Sequence, residues 1–191
     1  MTGLICGLKT LYDRIFASIE NATDGWLVGL AARLVFASVL FMFFINSGLT
    51  KVGSGPLGFL SPSVGAYAQI LPEMMNSVGF NVSKIPFVPY GIIVLLGTWT
   101  EFILPVLIVL GLFTRAASLA MIGFVAVMSY VDITGHGVKA ETAGAVFDGL
   151  PTGLIFDQRL LWVFLLLVLV VKGAGAISLD ALLDRACKTK S

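Results

Sequence analysis

The sequence predicts an all-α fold: an integral membrane four-helix bundle with both termini in the cytoplasm. Of 191 residues, 58% are apolar and only 12% charged, well outside the soluble range. The apolar residues gather into four runs near the ~20 residues that one crossing needs. A third observation concerns function. Glu101 stands near the middle of one run, and a charge at that depth is a functional-site candidate by default.

Three parts follow along the chain. Residues 1–24 form an amphipathic surface helix, 25–177 the transmembrane domain, and 178–191 a short cytoplasmic helix with a basic tail. In the first part Leu4, Leu8, Leu11, Tyr12, Ile15, Phe16 and Ile19 recur at helical spacing, with Lys9, Asp13, Arg14 and Glu20 on other positions. Such a helix is too polar to span and lies along the membrane surface or packs on the bundle. Its charges also interrupt any compact signal-peptide core.

Capping residues at 21–25 precede the first span, 26–49, whose one charge is Arg33. Arg33 and Lys51 are about five turns and roughly 27 Å apart on a shared face, so each can snorkel to its own interface. The connection 51–89 is rich in Gly, Pro and Ser, holds a short interfacial helix at 64–75, and is expected to pack down through Phe59, Tyr67, Phe80 and Phe87.

The second span, 90–112, aligns Gly97, Thr98, Glu101, Pro105 and Ile108 on one stripe. Proline leaves the carbonyl four residues earlier without its helical donor, which predicts a kink beside Glu101. Gly111 and Thr114 permit a tight turn into the third span, 116–131, where Ala116, Ala120, Gly123 and Ala126 form a seam for close helix packing. A Gly-rich connection, 137–157, leads to Asp157 as cap of the fourth span, 158–177. Ser178 then caps a helix over 179–187, before Lys188, Thr189 and Lys190.

Lysines and arginines set the orientation. Lys9, Arg14, Arg115, Lys172, Arg185, Lys188 and Lys190 fall at one end, and Lys51, Lys84, Lys139 and Arg159 at the other. The richer end is cytoplasmic, and the long loops face outward. Tyr90, Tyr130 and Trp162 sit at outer helix ends as an aromatic belt.

Several functions are disfavoured. A net charge of +1 without a basic stripe gives nucleic acid nothing to bind. Cys6 and Cys187 form no Cys-x-x-Cys pair, and His136 is the one histidine, so neither a thiol relay nor a metal site is expected. The candidate ligand or proton site comprises Glu101, Arg33, Asp132, His136 and Lys51. Glu101 is expected to pair with Arg33, either fixing helix register or holding a ligand. Asp132 caps the third span or pairs with Lys51, and His136 is either a site residue or a solvated loop residue.

The residues leave the cofactor unidentified; a non-covalent quinone is one candidate, for which Glu101, Asp132 and His136 are the residue types needed between apolar walls. No flavin, haem or iron–sulfur motif is recognisable, so electrons would come from another subunit. The chain is not expected to be catalytic alone. A small proton-coupled transporter is the other reading, opposed by the lone mid-membrane acid and the lack of an inverted repeat.

Arg33-Leu34, Phe41 and the run Ser47-Gly48-Leu49-Thr50-Lys51 resemble the first-helix pattern of the DoxX family. Glu101, Pro105 and the run from Gly111 to Ala117 are similar to its second-to-third helix signature, and Gly173-Ala174-Gly175 with Ser178-Leu179-Asp180 to its ending. The resemblance covers about residues 25–185. It implies a four-helix, multi-pass protein of the bacterial inner membrane, contacting lipid and a protein partner. It further implies a subunit that anchors or supports a redox-linked, quinone-associated complex or a peptide-maturation complex. The alternative within the family is a quinone-reactive subunit of the thiosulfate:quinone oxidoreductase type.

Overall fold

Four helices long and apolar enough to cross a membrane stand out in the computed structural model, which describes residues 2–188: Leu27–Leu49, Phe87–Leu110, Thr114–Thr134 and Leu154–Lys172. They form a ring in which each span packs on its sequence neighbours and the first closes on the fourth. The short bridge between Val52 and Pro62 is the only β-pairing among the described residues. The all-α membrane bundle therefore stands. The second, third and fourth spans begin two to four residues earlier than the hydropathy runs suggest. In the fourth, Asp157, which hydropathy makes the cap of a span starting at 158, lies inside the first turn.

The core is built from side chains at steps of three and four. Phe36, Leu40 and Phe44 of the first span meet Ile108, Met121, Val125, Leu166 and Leu169, all nearly inaccessible. The first span contains a wide π-helical turn, Ala37–Phe41. That turn lets residues spaced strictly by four (36, 40, 44 and 48) keep facing inward, where an undisturbed 3.6-residue repeat would drift. On the third span the inward stripe is Thr114, Ala117, Ser118, Met121 and Val125. The small-residue seam expected to pack, Ala116, Ala120, Gly123 and Ala126, is exposed instead. It lies next to the packed stripe, and a Cβ built on Gly123 would touch nothing within 4 Å.

The first long connection folds back as two short helices, Val64–Ile70 and Pro72–Ser77, split by Leu71 and Pro72. Ser63 caps the first of them, accepting a hydrogen bond from the amide of Ala66. Tyr67, Met75 and Ile85 pack with Val94 in a second, smaller core. Phe59 rests on Phe102, and the Trp99 indole donates to the Phe59 carbonyl at 2.7 Å. Phe80 and Phe87 are both more than half exposed, although the Phe87 ring lies against Gly91 of the second span.

At the end where both termini lie, backbone meets backbone. A Cβ on Gly29 would come within 2.5 Å of the Gly173 carbonyl oxygen, so the first span and the segment after the fourth touch without side chains between them. Gly111 ends the second span at φ +69°, the left-handed conformation that closes a helix with least strain in glycine. Asp180 then caps the third span, its carboxylate accepting from the amides of Phe113 at 2.7 Å and Thr114 at 3.0 Å. Ser178 caps the helix Leu179–Lys188 through the amide of Ala181.

The helix Thr2–Thr23 precedes the first span. Ile5, Leu8, Leu11, Tyr12, Ile15, Phe16 and Ile19 are about half exposed or more. The Leu4 side chain, and Thr189 and Lys190 of the basic tail, lie outside the described residues.

The contact at Gly29 is testable. Gly29→Val should destabilise the bundle by about 1–3 kcal/mol, the usual cost of overpacking. Gly123→Ala, with open space around it, should leave the thermal midpoint in detergent unchanged or raise it.

Candidate functional site

Glu101 lies on the buried stripe that Thr98, Pro105 and Ile108 continue, and the helix runs through Pro105 from Ile92 to Leu110. Its partner is not Arg33 but Lys51. The Lys51 ammonium donates to both carboxylate oxygens, at 2.9 and 3.0 Å, and to the Ser47 hydroxyl at 2.9 Å. The Ser47 hydroxyl is in turn 3.1 Å from a Glu101 oxygen. Ser47 is on the last turn of the first span and Lys51 two residues past its end, four residues apart, so the same side of the chain delivers both. Lys51 is 4% exposed, so it does not snorkel out. Its four-carbon stem turns inward because a carboxylate waits there, and an unpaired charge at that depth would be far more costly.

Arg33 is buried at the opposite end of the bundle. Its guanidinium donates to the carbonyls of Ile108 and Val109, at the end of the second span, and of Ala174 and Ile177, after the fourth. Carbonyls at and beyond helix ends are short of amide partners, although that of Ile108 also accepts from the Gly111 amide at 3.1 Å. The fork of five N–H donors matches this task, which a single carboxylate would not need. Ile108 is about 10 Å along the helix from Glu101, too far for Arg33 to serve both.

Asp132 pairs with neither Lys51 nor its own helix end. Its carboxylate takes the Arg159 guanidinium at 2.5 Å, and Arg159 also donates to the Ser129 hydroxyl at 3.0 Å. Arg159 Nε is buried with no partner. His136 Nε2 lies 3.0 Å from the Gln69 carbonyl, joining the end of the third span to the short helix of the first connection.

These groups converge. Lys51, Glu101, Asp132 and His136, together with Ser47, Gln69 and Arg159, line one cavity of about 540 Å³. Phe43, Leu104, Phe124 and Met128 supply its apolar walls. Of the five residues the sequence singles out, four share this cavity and Arg33 does not. The sequence reading missed Ser47, Gln69 and Arg159. For Ser47 the signal was available in its i,i+4 relation to Lys51. Arg159 carried none, since hydropathy placed it in the first turn of a span that begins earlier.

A ring of four membrane-crossing helices around a cavity with paired charges defines a multi-pass integral membrane protein. The family model of DoxX matches residues 28–136, more than half of the chain, so the protein belongs to the DoxX family. The match includes Ser47, Lys51, Glu101, Asp132 and His136 and ends before Arg159 and the C-terminal segment. No curated protein and no solved structure matches the chain.

The Lys51–Glu101 pair predicts a double-mutant result. Lys51→Met strands a buried carboxylate and should cost about 3–5 kcal/mol. Lys51→Met combined with Glu101→Leu should recover most of that loss, read as thermal midpoints in detergent.

Proposed function

We propose that this protein is the membrane subunit of a quinone-associated complex, holding a quinone in the cavity around Glu101 while a partner protein supplies the electrons. The observation that carries the proposal is the composition of the cavity. Two ion pairs, Lys51–Glu101 and Asp132–Arg159, stand beside Phe43, Leu104, Phe124 and Met128. A flat headgroup with two carbonyl oxygens needs donors at its rim and apolar contacts on its faces, and a volume of about 540 Å³ suits a ligand of that size.

The fit can be judged on a single atom. Arg159 Nε is a buried donor with no acceptor, in a side chain that lines the cavity. A buried donor left unpaired costs about 1–3 kcal/mol, which a ligand oxygen would offset. A bound quinone supplies the redox chemistry by taking up electrons and protons. Glu101, Lys51 and Asp132 hold the polar end, and the carboxylates provide places where protons are exchanged. This chain offers binding and orientation, which fits a supporting subunit better than an enzyme in its own right.

The proposed setting is a bacterial inner membrane with both termini in the cytoplasm. Lys51 and Arg159 are consumed by ion pairs, the first buried and the second partly buried. Lys84 and Lys139 therefore remain as the exposed cations of the long loops, against Lys9, Arg14, Arg115 and Lys172 among those at the other end. The outward loops are the surface offered to a partner, with Phe147 fully exposed at the tip of the second.

The test is purification in mild detergent, followed by mass spectrometry of the bound lipids and proteins. Quinone and a redox protein should co-purify. Glu101→Gln and Asp132→Asn should each lower the retained quinone by about tenfold. Quinone retention and complex assembly that both survive Glu101→Gln would remove the site from consideration.

A further inference from the structure

Resting on that reading, we infer that the ligand reaches the cavity sideways from the bilayer, between the second and third spans, and leaves its apolar tail lying past Gly123. The cavity has a roof and an open flank. The roof is the short helix pair of the first connection. His136 Nε2 meets the Gln69 carbonyl at 3.0 Å, and Gly135 lies so close to Pro72 that a Cβ there would come within 2.6 Å of the ring. Ile70 comes down on Gly97, 3.0 Å from where a Cβ would sit. Packed chain thus narrows the aqueous end, where Gln69 and His136 line the cavity and are exposed.

The flank is different. Ile93, Ala120, Gly123 and Val127 line the cavity and are exposed, although all four belong to membrane-crossing helices. An exposed residue within a span faces lipid, so the cavity opens to hydrocarbon there. Small residues normally draw helices together, yet no neighbour approaches Gly123 within 4 Å of a Cβ position. The backbone at Gly123 therefore borders open space, where a chain of methylene or isoprene units can lie. The polar groups lie toward the long loops and the apolar walls deeper, so a molecule entering by this slot arrives with its headgroup already facing Lys51 and Arg159. The ligand class that fits is an amphiphile dissolved in the membrane: a quinone headgroup on a long prenyl tail.

The experiment compares two probes in lipid nanodiscs, a ubiquinone with a long isoprenoid tail and the same headgroup without one. Wild-type protein binds the tailed probe more tightly. Gly123→Leu fills the slot and weakens the tailed probe by about tenfold, while the tailless headgroup binds as before. Ala126→Leu, on the same helix but outside the cavity lining, changes neither. If Gly123→Leu weakens both probes equally, or neither, with the thermal midpoint intact, the lateral entry is wrong although the quinone site stands. If wild-type protein binds neither probe, the quinone reading itself fails and the entry route falls with it.

Discussion

The structure depends on the cost of leaving a charge or a free carbonyl in hydrocarbon. Lys51 and Glu101 are the clearest consequence. Each would be prohibitive alone in the interior, and together, with Ser47, they exchange hydrogen bonds that satisfy most of their polar atoms. That need fixes how the first and second spans stand against each other. The last turn of one must lie opposite the middle of the other, and the wide turn at Ala37–Phe41 keeps Ser47 and Lys51 pointing there. The cavity follows from the same constraint, because a paired carboxylate, a hydroxyl and a second ion pair cannot pack as tightly as Phe36, Phe44 and Leu166 do below them.

The two ends of the bundle solve different problems. At the loop end, charges pair with charges and leave room between them. At the terminal end, Arg33 gathers backbone carbonyls and Asp180 gathers backbone amides, so one cation and one anion close the helix ends without meeting each other. The first arrangement leaves a cavity lined by the four side chains of two ion pairs, and the second ties helix ends together through backbone atoms.

Much of this was legible in the sequence. Glu101, Pro105 and Ile108 shared a stripe, and that stripe is the buried one, because a single charge at helical spacing can face only protein. The partner was not legible. Arg33 and Lys51 share a helix face, and choosing between them required knowing how the second span slides along the first, a tertiary quantity. The small-residue seam of the third span was misassigned for a related reason. Ala116, Ala120 and Gly123 lie beside Ala117, Met121 and Val125, and periodicity alone does not say which of two adjacent stripes meets a neighbour. Arg159 does not stand out because a lone cation in the first turn of an apolar span is an ordinary interfacial residue.

The contacts of Arg33 also bear on how the protein is made. Ile108 and Val109 belong to the second span, but Ala174 and Ile177 come after the fourth. During synthesis the first span enters the bilayer long before those residues exist. Its arginine must then remain with water, lipid phosphates or the insertion machinery until the segment after Lys172 emerges. Assembly of this bundle is therefore completed from its far end. The residues beyond the fourth span, which look like a dispensable C-terminal appendage, are the latch that locks the first helix in place.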